Sequence, residues 1–367
     1  MSIKTALADC PKATCDTYNT NGKKSFLISW ILDANIVILV IKKLSLKYYI
    51  LRDIQIHTMN KGFFEKLEKL KKSYDILIIF ILLFVILISF GISKTRFLTN
   101  GSESYYNIYP ISIPNKVLFA GEEIKLDQDD LIERMDKEFL VNTYWQSNTI
   151  LLIKRANKFF PQIEKILIDE DVPSDFKYLA LIESGLQNVT SPRGAKGFWQ
   201  IMKTTGKEYG LEINSNVDER YNLNLSTRVA CKYLKRAKDK FGSWTLAAAA
   251  YNRGINGVKN KIMNQNQTKY ENILFGDETK RYVFRIIALK NIIESPESFG
   301  FHIKKEQMYK PIRYKEIKID IPISNITDFS EDLGLSYKNF KIHNPWLLEN
   351  HLNNRSRKLY TILIPSE

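Results

Sequence analysis

The chain has 367 residues, a formal net charge of +14 and a pI near 9.4, enough for about two or three compact units. Its basic residues are scattered rather than gathered on one helix, which gives little support to nucleic-acid binding. The charge fits either an anionic partner or a compositional bias toward Lys, Ile and Asn. Three cysteines, Cys10, Cys15 and Cys231, exclude a disulfide framework, and His57, His302, His343 and His351 show no ligand spacing. No metal and no cofactor is expected.

Residues 1–58 form an N-terminal extension. Ser25 to Ile41 is apolar but is interrupted by Asp33 and Asn35, which makes it a poor membrane span. Met59-Asn-Lys-Gly opens a basic region directly before a much better one, so Met59 reads as the true start and the extension as an over-long reading frame. The alternative is a second span with Asp33 in the bilayer, at a cost of a few kcal/mol. Residues 59–93 read as that basic region and a membrane anchor. Ile76 to Ser93 is uncharged and dense in Ile, Leu and Phe, and as a helix it reaches about 27 Å, close to bilayer thickness. Lys61, Lys66, Lys69, Lys71 and Lys72 precede it, whereas only Lys94 and Arg96 follow closely. The positive-inside bias then puts the rest of the chain on the outer side. The expectation is an uncleaved, single-pass inner-membrane protein whose main body lies in the periplasm.

Residues 94–141 read as a tether, rich in Ser, Asn, Tyr and Pro as far as Leu118, followed by an acidic helical stretch from Asp127 to Glu138. Residues 142–303 are mainly α. Asn148 to Asp169 carries Ile150, Ile153, Ala156, Phe159, Ile163 and Ile166 at helical spacing, with Pro161 marking a break or a restart. Pro173-Ser174-Asp175 reads as a helix start with Ser174 as N-cap. Trp199 to Tyr209 reads as a helix stopped by Gly210. Ser226 is expected to cap a helix that runs to Phe241, with Cys231 a small buried residue on it, and Ser243 to cap Trp244 to Asn252. Thr279 to Glu294 is the last amphipathic helix. Residues 311–367 change texture: a strand from Tyr314 to Ile321, helices at Asn325 to Leu333 and Tyr337 to Ile342, and a closing strand from Tyr360 to Pro365. The fold class is therefore mainly α, with an N-terminal transmembrane helix and a small α+β strand-helix-helix-strand unit at the C-terminus.

The chemistry concentrates around Glu183, at the end of the apolar run Tyr178-Leu-Ala-Leu-Ile-Glu-Ser-Gly185. Packing against Leu179, Ile182 and their neighbours disfavours the charged form and raises the pKa, as a general acid needs. Alone, such a residue is more often a surface Glu ending a helix; the motifs around it shift the reading. Gly194 and Gly197 permit tight turns close to a ligand. Gln200 offers a donor and an acceptor. Trp199 stacks on a sugar or lies in the core, and Met202 is core by spacing. Tyr251 and Asn252 either bond a carboxylate or substrate, or end a helix.

Together these motifs resemble a known family. The segment from Tyr178 to Tyr282 is similar to the soluble-lytic-transglycosylase catalytic domain, a goose-lysozyme-like, helical fold, and most of all to the membrane-bound lytic murein transglycosylase D subfamily. The resemblance is carried by Glu183-Ser184, by Gly194-Ala-Lys-Gly-Phe-Trp-Gln-Ile-Met202, by Ala250-Tyr-Asn252 and by Glu278-Thr-Lys-Arg-Tyr-Val283. With Asn142-Thr-Tyr-Trp and Phe159-Phe-Pro-Gln-Ile-Glu it extends from about Asn142 to Phe301. It implies that Glu183 is the catalytic acid and base, that Tyr251 hydrogen-bonds its carboxylate, and that Ser191, Gln200 and Met202 line the sugar subsites. Ser184 and Asn252 join the substrate-binding set, while Glu278 and Tyr282 close the far wall. Lys203 stands where the family usually has Pro, and Arg253 where a small residue is common. Leu335-Ser-Tyr-Lys-Asn-Phe340, Asn344-Pro-Trp346 and the final strand resemble a degenerate LysM domain, a peptidoglycan-binding module. The usual Gly-Asp-Thr/Ser opening is replaced by Ile321-Pro-Ile-Ser.

The resemblance implies cleavage of the MurNAc–GlcNAc β-1,4 bond of peptidoglycan glycan strands, with closure of a 1,6-anhydro ring. The alternatives are a muramidase that uses water, with Asp218, Glu219 or Glu278 as second carboxylate, and a non-catalytic wall-binding scaffold.

Overall fold

The computed structural model describes residues 108–366 and scattered positions between 42 and 84. The N-terminal extension and most of the expected anchor lie outside the described residues. Positions 75–81 are helical, and no helix among the described residues is long and apolar enough to cross a membrane.

The region expected to be a tether ends in a β-hairpin. Strand β1 (Lys116–Phe119) pairs antiparallel with β2 (Glu122–Lys125) across a turn at Ala120-Gly121, where both residues have positive φ. Alternation places Val117, Phe119 and Ile124 in the main core, and this burial outweighs the polar composition around it. Helix α1 (Asp129–Tyr144) leads into α2 (Gln146–Asp169), which runs unbroken through Pro161. Phe160 and Ile163, buried on either side of the proline, keep the helix in place where local propensity expects a break.

Ser174 does not cap a helix. Ser174–Phe176 is a 3-10 turn without a side-chain cap, and α3 (Lys177–Ser184) starts after it. Residues 199–202 are likewise not helical: α4 is only Lys203–Glu208. The cap of α5 (Leu223–Phe241) is Asn222, whose Oδ1 accepts from the Leu225 N–H at 3.1 Å. Ser226 is inside the helix and donates back to the Asn222 carbonyl at 2.7 Å. Ser243 does cap α6 (Trp244–Arg253), as the sequence suggests. Helices α7 (Ile255–Gln265) and α8 (Asp277–Glu294) complete the helical body. The face of α6 is a run of fully buried alanines, Ala247 to Ala250, so α5 and α8 approach it closely.

The C-terminal unit consists of β3 (Arg313–Ile319), α9 (Ile326–Asp332), α10 (Tyr337–His343) and β4 (Tyr360–Ser366), with β3 antiparallel to β4. Ile326, Phe340, Trp346, Leu347, Tyr360 and Ile362 form its core, which also takes in Val217 from the helical body. The two are joined by backbone: Asp218 N–H donates to the Trp346 carbonyl at 2.9 Å, and Leu348 N–H to the Asn216 carbonyl at 2.9 Å. Lys358 clamps Glu219 and Glu212 at 2.6 and 2.9 Å, and the Tyr360 hydroxyl donates to Glu212 at 2.7 Å.

Candidate active site

Helix α3 ends in a left-handed glycine. Gly185 has φ 59° and its N–H closes on the Leu181 carbonyl at 2.8 Å, a stop that only glycine adopts without strain. The stop leaves Glu183 on the last turn. Burial pushes its carboxyl up to about 7, and the nearby Glu278 adds to the rise. Two groups oppose it: the Tyr282 hydroxyl, which hydrogen-bonds the carboxylate, and Arg285. A glutamic acid with this pKa still holds its proton near neutrality and gives it up when its surroundings change.

The tyrosine bonded to Glu183 is Tyr282 of α8. The sequence reading assigned that role to Tyr251, whose hydroxyl instead donates to the Trp199 carbonyl at 2.8 Å. Tyr251 is near enough for the Glu183 charge, after burial, to raise its own pKa. Its hydroxyl is taken up because the 199–202 stretch is a turn, which leaves a backbone carbonyl in need of a donor.

The glycine-rich loop is a folded object. Lys196 and Ile201 exchange both backbone hydrogen bonds at 3.1 Å, and Gly197 N–H reaches the Val189 carbonyl at 3.0 Å. Gly197 has φ 78°, and a Cβ there would lie 2.1 Å from the Arg220 carbonyl. Gln200 takes a left-handed φ of 46°, which costs a non-glycine residue about 1–2 kcal/mol. Its amide nitrogen offsets this by donating to the Gly197 and Val189 carbonyls at 2.9 and 3.1 Å. Ser191 Oγ accepts from the Ala195 N–H at 3.0 Å. Both side chains brace the loop that the sequence reading has them line.

Ser184 likewise turns inward: its hydroxyl donates to the Phe198 carbonyl at 2.8 Å and ties the end of α3 to the loop. Asn252 accepts from Thr279 Oγ1 at 2.8 Å, joining α6 to the start of α8. Trp199 is fully buried with Nε1 on Thr227 Oγ1, which makes it core rather than a sugar platform. Met202 is 43% exposed, against its core reading from spacing. Glu278 is exposed on the first turn of α8, at 3.5 Å from Arg285.

Sequence reasoning missed the anchor of the loop. Arg220 is buried and donates to the Gly194 and Ile201 carbonyls at 3.0 and 3.3 Å, while gripping Asp218 through Nε and Nη2 at 2.9 and 2.7 Å. Burial works to raise the Asp218 carboxyl, but Arg220 and then Lys196 hold it below its ordinary value. Asp218 and Glu219 are thus neither solvated nor free: both are buried, one on Arg220 and the other on Lys358 and the Glu212 N–H. The Val-Asp-Glu-Arg-Tyr spacing contains no local sign of this, because the partners come from other segments.

Two family models match the chain. Residues 162–274 match the transglycosylase SLT domain, and residues 315–367 match the soluble lytic transglycosylase C-terminal LysM-like domain. The chain is homologous to membrane-bound lytic murein transglycosylase D of Escherichia coli strain K12, with 26% identity over 234 residues, covering 62% of this chain and 50% of that protein. It is 28% identical over 116 residues to a putative tributyltin chloride resistance protein of Alteromonas sp. strain M-1, covering 29% of this chain and 56% of that one. The chain thus spans about half the length of the curated relatives it matches. Among solved structures, the 70 kDa soluble lytic transglycosylase of Escherichia coli aligns with a TM-score of 0.34 and 17% identity, over 51% of this chain and 34% of that one.

Proposed function

We propose that this chain, which carries an SLT transglycosylase domain and a LysM-like C-terminal domain, is a lytic murein transglycosylase acting on peptidoglycan glycan strands. The observation that carries the reading is Glu183: a carboxyl raised to about 7 by burial, held by a tyrosine hydroxyl, at the end of a short helix beside a rigid loop. In this reading Glu183 gives its proton to the glycosidic oxygen between MurNAc and GlcNAc as the C1–O bond breaks. The resulting carboxylate then takes the proton of the muramic C6 hydroxyl, whose oxygen bonds C1 and closes the 1,6-anhydro ring. The acid is regenerated and no water is consumed.

Hydrolysis needs a second carboxylate to activate water or to act as nucleophile. Asp218 and Glu219 are committed to ion pairs. This supports an internal nucleophile, held at high effective concentration by its own ring. Glu278 remains near Glu183 and is assigned to the cleft wall. We further assign residues 76–93 as a single membrane anchor with the catalytic part in the periplasm; for membrane association alone, the name of the membrane-bound E. coli relative is a support.

The test is the mass of the fragments released from purified wall. Anhydro ends are one water lighter than reducing ends. Predominantly reducing ends would replace this reading with a muramidase, and Glu278 would then be the first residue to mutate.

A further inference from the structure

A second site lies in the seam between the helical body and the C-terminal unit. It is a cavity of about 350 Å³ that begins at Leu186 and Gln187, just past Glu183, and reaches Tyr314, His343 and Trp346 on the far side. This volume falls in the usual range for a small-ligand pocket.

Its lining is chemically one-sided. It contains no Asp or Glu, although the chain has 40 of them. Arg155 and Lys158, three residues apart on α2, both line it. Arg155 Nη1 donates to the Gly185 carbonyl at 3.2 Å, which ties the pocket wall to the end of the catalytic helix. Lys158 makes no ion pair with a carboxylate among the described residues; its ammonium lies 5.0 Å from the centre of the Phe159 ring. Across the seam, burial and then the Lys158 charge lower the pKa of His343, so the two walls sense each other. Two cations facing no carboxylate leave a positive field in a partly enclosed space.

We propose that this seam pocket binds a carboxylate of the peptide stem of peptidoglycan, next to the strand being cut. The inference rests on the function proposed above. Where the muramic lactyl group is amide-linked to a stem, the glycan backbone is neutral and the stem carries the carboxylates. A donor-lined pocket without acids therefore selects stem over sugar. Tyrosine edges and the Phe198 side chain suit the apolar portion of a short peptide.

The test is calorimetric titration of the full-length Glu183→Gln chain, which binds without turnover. The ligands are a peptide-bearing disaccharide, the same compound with its stem carboxylates amidated, and the peptide-free disaccharide. The peptide-bearing form is expected to bind about tenfold more tightly than the other two, with an advantage that shrinks as salt rises. Lys158→Glu removes the advantage. Lys158→Met keeps the aliphatic stem and removes only the charge, so it decides the matter should the charge reversal not fold. Equal affinity for the three ligands, or an advantage that survives both substitutions, overturns the proposal. Such a result alongside anhydro products from the unmodified chain leaves the catalytic reading standing. Reducing products overturn that reading without touching the binding result.

Discussion

Glu183 is raised by the protein, and the direction of that shift has consequences in two measurements. In the proposed reaction the group must start protonated, so kcat/KM on purified wall should fall as pH rises through about 7. For stability, the native state holds a proton that the unfolded chain has released between the ordinary glutamate value of 4.5 and about 7. The contribution is present below that window and is lost as pH rises through it. Glu183→Gln should therefore abolish lysis, a loss of about 10²–10⁴-fold or more, while unfolding midpoints above pH 7 rise relative to the parent. Retained lysis in the folded variant would remove Glu183 from the chemistry. The two tyrosines should separate cleanly. Tyr282 donates to the ionised form, so Tyr282→Phe should move the alkaline limb of the rate profile upward. Tyr251→Phe leaves the buried Trp199 carbonyl without its donor and should cost about 1–3 kcal/mol of stability, with no displacement of that limb.

At the scale of elements, the helices with a strong apolar period are legible in the sequence; their ends and the loop are not. Ser226 and Asn222 are both plausible caps, and only the geometry separates the residue that receives the Leu225 N–H from the one folded inside the helix. The hairpin at 116–125 has four-residue strands, too short for alternation to stand out from a polar stretch. The 199–202 stretch imitates a helical stripe, yet its shape is imposed by Arg220 from a different segment. Glu183 could be singled out because its helix, stop and motif are contiguous; Tyr282 as its partner could not, because the two lie 99 positions apart. The dependence on Arg220 is testable. Asp218→Ala should leave a buried guanidinium uncompensated and cost about 3–5 kcal/mol. Gly197→Ala should lower wall lysis by displacing the loop, because its Cβ collides with backbone. Muropeptide masses should be unchanged in both, since neither group takes part in bond making. Reducing ends that are present in the parent and lost in the Asp218 variant would give that carboxylate a chemical role.

At the scale of the described body, the helical part and the C-terminal unit are joined by Val217 and by a half-buried charge cluster. Val217 packs into the core of the C-terminal unit, and Lys358 sits on Glu212 and Glu219. Removing the chain from Arg313 onward should therefore lower the melting temperature of the helical body, because it exposes Val217 and strips two carboxylates of their cation. An unchanged melting temperature would mean that the seam adds nothing to stability. The clamp also bears on how a wall polymer is handled. A module on a flexible leash raises local concentration and lets the cutter roam within the length of the leash. A module fastened by Asn216, Glu212 and Glu219 has no leash. If the chain cuts glycan as proposed and the C-terminal unit also grips it, the strand is held at one offset from Glu183, so the grip acts as a gauge block, and cuts along a single strand should fall at regular intervals rather than at random.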